Sequence, residues 1–244
     1  ADFVFRMSPN VILGSYTTRR LGQLAHDWGS RFLVVVDPIL NEVGVAEKII
    51  QSLNERKIEN FSFSDFTEGN STKTLQRALT LAKEAHIHGV IAVGGQKAMN
   101  IGRLVAALCN EVHDMYNFVD GAIPNAGSLP CICVPTTFRT PFVFTSQVPV
   151  IDSRNNQLKL LNVQTNICRL LLIDPNMMLN LTENQRASMS LEVLCQATEA
   201  YISQKENFFS DMFVEKGVEL MGYALDGAPS LEITTPQEIL FAQS

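Results

Sequence analysis

Residues 90–103 read VIAVGGQKAMNIGR, and this stretch decides the fold. An apolar run is followed by two glycines, and a helical pattern of apolar residues begins at Ala98. A phosphate-binding turn starts in this way, because glycine lets the backbone approach a phosphate and the N terminus of a helix favours its negative charge. A tight turn that only joins a strand to a helix uses the same residues, so the stretch by itself leaves both interpretations open.

Strands and helices alternate on both sides of this turn. Further apolar runs predict strands at residues 31–36, 61–66, 129–134, 148–152 and 169–173. Helical spacing predicts helices at residues 17–28, 43–56, 71–85 and 98–109. Strands that are apolar throughout and alternate with helices are typical of a parallel sheet covered on both faces. We therefore predict an α/β fold with a Rossmann-like parallel sheet.

The pattern becomes helical after Asp174-Pro175. Thr182 is a good N-cap, residues 191–201 and 208–224 have helical spacing, and Pro236 suits the first turn of a final helix. We predict two domains, an α/β nucleotide-binding domain over residues 1–175 and an all-helical metal and substrate domain over residues 176–244. The short final helix suggests that this second domain is truncated.

Composition excludes several classes of protein. The chain has 244 residues, 46% of them hydrophobic, and a formal net charge of −6 without long charge runs. A general nucleic-acid binder would need a basic surface. No apolar run approaches the roughly 20 residues that span a bilayer, and no signal peptide is visible, so we expect a cytoplasmic protein without membrane or nucleic-acid partners.

The cysteines indicate a reducing compartment. There are five of them, an odd number, and none forms a Cys-x-x-Cys pair. This pattern suits free thiols in a cytosolic protein better than a disulfide framework. Cys131 and Cys133 alternate within an apolar run, and we predict that both are buried on one face of a strand.

Four landmarks occur in order along the chain: VVVD at residues 34–37, GGQKAMNIGR at 94–103, PTTFRT at 135–140, and IDP at 173–175 followed by LEVLCQATEAY at 191–201. Together they resemble the iron-containing (group III) alcohol dehydrogenases, relatives of glycerol dehydrogenase and dehydroquinate synthase. The corresponding family motifs are a strand ending in a ribose-binding acid, GGGSxxDxAK, PTTAGTG, and IDP with MDALTHAIEAY. The resemblance implies an NAD(P)-dependent, metal-dependent alcohol dehydrogenase that transfers hydride between alcohol and aldehyde and forms homodimers.

The resemblance also implies a set of nucleotide contacts. They are Asp37, Asn70, Gly94, Gly95, Lys97, Thr136, Thr137, Thr145 and Lys159. A carboxylate at position 37 can accept hydrogen bonds from a ribose diol and would repel a 2′-phosphate, which favours NAD over NADP. The same aspartate could instead cap the turn before Pro38. Lys97 replaces the family's serine, and it either adds a positive charge beside a phosphate or fills the phosphate's space.

The metal-binding half of the resemblance is weaker. The family holds a divalent ion, iron or zinc, with an Asp and three His, and the first two ligands fall on Glu192 and Gln196. Glutamine offers only a neutral carbonyl oxygen, a poorer ligand for these ions than imidazole. The four histidines, His26, His86, His88 and His113, all precede this helix. Glu192 could also be a solvated helix residue, and His86 and His88 are expected to cap a helix or lie on the surface.

Bulky residues also replace small ones in the third landmark. Residues 138–142 read FRTPF where the family has small residues, and we predict a reshaped loop that narrows the cofactor cleft. The alternative to an enzyme is therefore a non-catalytic family member that keeps the fold, has lost the metal site, and serves as a binding or assembly protein. A third interpretation, an enzyme similar to dehydroquinate synthase that uses Glu192, lacks the later histidines as well.

Overall fold

The computed structural model describes residues 8–139, 141–204 and 207–226. Its main sheet has six strands in the order β1-β8-β5-β4-β2-β3. Their bounds are β1 Asn10–Leu13, β2 Arg31–Val36, β3 Glu59–Phe63, β4 Gly89–Gly94, β5 Cys131–Pro135 and β8 Cys168–Ile173. Every pair of neighbours is parallel, which confirms the predicted α/β class.

Burial on both faces explains the unbroken apolar strands. All residues of β4 and β5 are buried, and in β2 only Arg31 is partly exposed. Helices cover both faces: α4 (Thr72–Glu84) and α5 (Gln96–Leu108) contribute to one apolar core, and α1 (Leu21–His26) and α3 (Val45–Asn54) contribute to the other. Helix α5 lies close to β4, because a Cβ on Gly102 would come within 2.6 Å of the Ala92 Cβ.

The remaining elements complete the fold. They are α2 (Pro38–Glu42), α6 (Met115–Val119), the antiparallel hairpin of β6 (Gln147–Asp152) and β7 (Gln157–Asn162), and the long helices α7 (Glu183–Tyr201) and α8 (Phe208–Asp226). Short 3-10 helices run over Thr17–Arg20, Pro141–Phe144 and Pro175–Met178. The sequence pattern did not predict β1, α2, α6 and β7, each of which is short and has at most three consecutive apolar residues. The helix predicted after Pro236 lies outside the described residues.

Local signals set several helix ends as predicted. Ser71 caps α4 by accepting a hydrogen bond from the Thr74 amide, and Thr182 caps α7 in a capping box with Gln185. His86 follows α4 with a left-handed φ of 48°, and His88 is exposed, as expected for capping and surface positions.

A buried aspartate at the end of β8 holds the segment that follows the edge strand β1. The Asp174 carboxylate, fully buried after β8, accepts hydrogen bonds from the Tyr16 amide at 3.0 Å and the Thr18 amide at 3.1 Å. The Thr18 hydroxyl donates to the same carboxylate at 2.6 Å. The aspartate of the IDP landmark therefore has a structural task here, because it satisfies the backbone of the loop that follows β1.

The buried thiols follow the prediction. Cys131 and Cys133 are fully buried on one face of β5, with their Sγ atoms 3.8 Å apart. All five cysteines are free, and Cys195 alone among them is exposed. In the part of the chain that the structure describes, no helix combines the length and apolar character needed to cross a membrane.

Candidate functional site at the carboxyl edge of the sheet

Three strands end at the same edge and bring the first three landmarks together. The Asp37 amide, directly after β2, donates to the Val93 carbonyl at 3.0 Å. The Thr136 amide, directly after β5, donates to the Gly94 carbonyl at 2.9 Å. The ladder hydrogen bonds of the sheet thus continue into the loops that carry the candidate residues. Ligands of open parallel sheets bind at this edge, because it is where loops and helix N termini converge.

The two glycines of the turn have different tasks. Gly94 has a φ of 146°, and a Cβ there would lie 2.6 Å from the Asp37 Cβ and 3.0 Å from the Ala98 Cβ. A side chain at this position is excluded by the protein itself. At Gly95 the nearest atom to an added Cβ is the Thr137 Cγ2 at 3.4 Å, an ordinary contact. The protein therefore tolerates a methyl group at Gly95, which is buried between Asp37 and Thr137.

Helix α5 begins at this turn with its amides available. Gly95 is the N-cap residue, and no side chain caps the helix. The first amides of an α-helix have no partner within the helix, and the helix dipole adds a partial positive charge at this end. Gln96 and Lys97, in the first turn, are both exposed. Lys97 also lines the cavity described below, so its positive charge lies near this end of the helix.

The position of Asp37 is compatible with both predicted roles, capping the turn before Pro38 and binding a ribose. It is the N-cap residue of α2 and precedes Pro38, but its side chain makes no capping hydrogen bond. Its Oδ2 atom lies 3.7 Å from the position of an added Cβ on Gly95, so the carboxylate faces the glycine turn. A carboxylate that does not cap its own helix can accept hydrogen bonds from a ligand.

A cavity of about 400 Å³ lies at this edge. It is lined by Asp37, Pro38, Phe66, Gln96, Lys97, Thr137, Arg139 and Met189. The lining includes three of the predicted nucleotide contacts, Asp37, Lys97 and Thr137. Phe66 and Met189 were not singled out by sequence reasoning. Their positions, after β3 and on α7, depend on how the chain folds back, and no local pattern marks them.

Other predicted contacts serve the structure and do not line this cavity. The Asn70 side-chain amide donates to the Pro149 carbonyl at 2.8 Å, which ties β6 to the start of α4, while its Oδ1 is buried without a partner. The Thr145 hydroxyl donates to the Phe142 carbonyl at 3.0 Å. Lys159, on β7, pairs with Val150 of β6. A role for these residues in nucleotide binding stays a prediction.

Lys159 belongs to a charged cluster around Arg154. Hydrogen bonds from Arg154 lower the pKa of both Asp120 and Asp152, and the charge of Lys159 lowers the pKa of each a little further. The Arg154 guanidinium also stacks 4.4 Å from the centre of the Tyr116 ring. Arg154 thus binds the hairpin to the end of α6 through ion pairs with Asp120 and Asp152, and Lys159 adds a further positive charge beside these carboxylates.

The reshaped loop is held by a buried arginine. The Arg103 guanidinium is 2% exposed and donates hydrogen bonds to the carbonyls of Phe142, at 2.7 Å, and Thr145. Phe138 and Phe142 are both half-buried and neither lines the cavity, so narrowing of the cleft by these two rings stays a prediction. Arg139, of the same FRTPF stretch, does line it.

Within the described residues, the predicted metal ligands Glu192 and Gln196 are not joined by a cluster of further metal-binding side chains. Arg139 makes an ion pair with Glu192 and donates a hydrogen bond from Nη2 to the Ser188 hydroxyl at 3.0 Å. Gln196 is exposed on the next turn of α7. Among residues 8–139, 141–204 and 207–226, no group of three or more His, Cys, Asp or Glu side chains could hold a metal ion. A carboxylate already paired with a guanidinium, beside a neutral amide, does not fit iron or zinc.

The parallel sheet with a cleft at its carboxyl edge defines an open α/β fold, in which ligands bind at this edge. The family model described as iron-containing alcohol dehydrogenase matches residues 8–175. The chain therefore belongs to the iron-containing alcohol dehydrogenase family.

Curated relatives and solved structures agree with this assignment. Alcohol dehydrogenase 4 of Saccharomyces cerevisiae is 24% identical over 198 residues, which are 80% of this chain and 51% of the yeast protein. Aldehyde-alcohol dehydrogenase 2 of Entamoeba histolytica is 25% identical over 230 residues, 89% of this chain and 26% of that protein. The chain thus spans about half of the first relative and about a quarter of the second.

The fold is shared with solved structures at low identity. A 1,3-propanediol oxidoreductase superposes with a TM-score of 0.88 at 20% identity, covering 100% of this chain and 64% of the other. Sulfoacetaldehyde reductase from Bifidobacterium kashiwanohense, solved in complex with NAD+, gives a TM-score of 0.87 at 16% identity and covers 100% and 65% of the two chains. At these identities the likeness establishes the fold, and the chemistry has to be argued from the site.

Proposed function

We propose that this chain binds a nicotinamide dinucleotide, NAD in preference to NADP, as part of an oxidoreductase acting on an alcohol or aldehyde. The observation that carries the proposal is the cleft lined by Asp37, Lys97 and Thr137 at the uncapped N terminus of α5, beside the glycine turn. Membership of the family and the NAD+ complex of a structural relative support the same ligand.

Each part of the cleft would meet one part of the dinucleotide. The free amides of α5 and the exposed Lys97 would hold the pyrophosphate, because both present positive charge at one point. Asp37 would accept hydrogen bonds from the ribose hydroxyls, and the Thr137 hydroxyl can donate or accept one more. When bound, the nicotinamide supplies the hydride chemistry, and the protein contributes binding, orientation and exclusion of water.

The test compares NADH with NADPH by calorimetric titration. We expect NADH to bind at least about tenfold more tightly, because the Asp37 carboxylate repels a 2′-phosphate, and one pairwise repulsion of about 1.4 kcal/mol gives this ratio. Asp37→Asn removes the charge and should bring the two affinities close together. Asp27→Asn, a change of the same type at an exposed position outside the cavity lining, is the matched control and should leave the ratio unchanged. Absence of binding for both nucleotides would refute the proposal.

A non-catalytic family member is the second candidate, and the Arg139–Glu192 ion pair favours it. A protein without the metal ligands would bind the nucleotide yet fail to turn it over. The discriminating measurement is oxidation of NADH, followed by its absorbance, with short aliphatic aldehydes as acceptors. Saturable binding without turnover would support this candidate, whereas turnover that depends on Asp37 would exclude it.

We also propose a homodimer in the cytosol. The family resemblance supports the dimer, and the five free thiols suit the reducing environment of that compartment. Sedimentation equilibrium of the chain would test the oligomeric state, and a monomer at micromolar concentration would contradict it.

A further inference from the structure

We propose that the Arg139 guanidinium takes the place of the divalent cation in this cleft, so that the fixed positive charge of the site belongs to the protein. The functional meaning of this inference rests on the nucleotide-dependent function proposed above. Its geometry rests only on contacts between the PTTFRT loop and helix α7.

Arg139 lies against the face of α7 that carries the predicted metal ligands. Its Nε atom forms the ion pair with Glu192, and Nη2 donates to the Ser188 hydroxyl at 3.0 Å. Ser188 and Glu192 are four residues apart and therefore share one face of the helix, and Gln196 continues the same face by one more turn. The guanidinium thus lies against one carboxylate oxygen of Glu192, on the helix face that carries the predicted ligands.

A second cation at this position would be opposed by charge. A guanidinium carries a positive charge that is spread over its three nitrogen atoms. A divalent ion that approached Glu192 would have to displace Arg139 or lie within a few ångströms of it. Both side chains of the pair are about 40% exposed, so water screens the repulsion without removing it. The family residue at position 139 is glycine, which carries no such charge.

The guanidinium also has donors left for a ligand. Of its five N–H groups, one on Nη2 donates to the Ser188 hydroxyl. The Nε atom is in ion-pair contact with Glu192 but forms no hydrogen bond to the described residues, and neither does Nη1. Arg139 lines the cavity together with Asp37, Lys97 and Thr137. An oxygen atom of a ligand in this cleft would therefore meet N–H donors where the family offers a Lewis acid. Because a guanidinium does not take up a proton, Arg139 would act as an electrostatic and positioning group, and another group would have to transfer any proton.

Cobalt(II) binding tests the inference without nucleotide or turnover. Gln196→His restores an imidazole four residues after Glu192, and it is combined with Arg139→Gly, the residue of the family motif. We expect the double variant to bind Co²⁺ at least about tenfold more tightly than Gln196→His alone, because removal of one nearby positive charge lowers the repulsion by this order. Binding is measured by calorimetry, and the visible absorption of Co²⁺ reports a histidine ligand.

The controls separate charge from loop conformation. Arg139→Ala in the Gln196→His background should reproduce the gain, and Arg139→Lys, which keeps the charge, should not. Glu192→Gln added to the double variant should abolish the gain, and circular dichroism of each variant checks its folding. Equal Co²⁺ affinity with and without Arg139, or no binding by a folded double variant, would overturn the proposal. If the wild-type protein does not bind NADH, the proposed function is refuted, but the cobalt result still tests the role of Arg139.

Discussion

The sheet edge and helix α7 contrast in how their candidate sites are built. At the sheet edge, backbone groups of buried strands hold Asp37, Gly94 and Thr136 in place. On α7, only Met189 and Ser190 are buried, and the candidate ligands project from an exposed face. A site made by the backbone cannot be lost without disturbing the core, whereas a site made by exposed side chains can change at little cost to the fold. In this chain the sheet edge forms a cleft, and on α7 the predicted ligand Glu192 is paired with Arg139.

Thiol labelling gives the largest expected difference between the two regions. Cys195 on α7 is exposed, whereas Cys131, Cys133 and Cys168 are buried within the sheet. Contact with the Cys131 thiol also raises the pKa of Cys133 well above its usual value, which leaves little reactive thiolate. We expect Cys195 to react with a disulfide reagent at least about a thousandfold faster than these three, which must wait for opening of the core. Reagent kinetics with mass spectrometry of the labelled peptides measure the ratio.

Two further labelling results would check the difference in reactivity between α7 and the sheet. Cys195→Ser should remove the fast phase and leave the slow one unchanged. Cys109 is half-buried, and burial raises its pKa, so its rate should fall between the two classes. Fast labelling of Cys133 in the native protein would mean that the sheet opens locally and would contradict the comparison.

At the sheet edge, substitutions of Gly94 and Gly95 should separate an effect on stability from an effect on nucleotide binding. Gly94→Ala places a methyl group 2.6 Å from the Asp37 Cβ at a φ of 146°, and we expect it to lower the free energy of unfolding. A clash combined with backbone strain of this kind costs about 3 kcal/mol. Gly95→Ala meets only an ordinary contact at 3.4 Å and should cost less than about 1 kcal/mol. Urea unfolding gives both values, and equal costs would show that the turn relaxes around Gly94.

Gly95→Ala is expected to weaken nucleotide binding rather than stability. Its methyl group would stand between the cleft and the first amides of α5, where we expect a phosphate. Titration with NADH should therefore show weaker binding by Gly95→Ala despite nearly native stability. Unchanged affinity would mean that the nucleotide does not approach this backbone.

The difference between buried strands and exposed segments also explains which parts of the fold the sequence could predict. Strands buried on both faces give unbroken apolar runs, so β2, β4 and β5 and the parallel sheet could be read directly. The largely exposed β1 and β7 have at most three consecutive apolar residues, too few to mark a strand by themselves. Within the site, the glycine turn and Asp37 have local signatures, and three of the predicted contacts do line the cavity.

Contacts between distant parts of the chain have no local signature. The pairing of Arg139 with Glu192 joins a loop after β5 to a helix 53 positions later, and neither residue's neighbours indicate the other. Asn70 and Asp174 show the converse, since each was part of a motif or contact set and proved to hold backbone segments together. Residue type and spacing identify which groups are available for chemistry, but the fold decides which of them are already occupied.

The Arg139–Glu192 pair should contribute the least to stability, and this is the sharpest test of the contrast between the two regions. Both side chains are about 40% exposed, so hydration and salt screen their attraction. In a double-mutant cycle with Arg139→Met and Glu192→Gln, we expect a coupling below about 1 kcal/mol that declines as ionic strength rises. Urea unfolding of the four proteins at low and high salt gives the coupling. A value above about 2 kcal/mol, insensitive to salt, would mean that the pair is part of the packed structure, and α7 would then be as strongly constrained as the sheet edge.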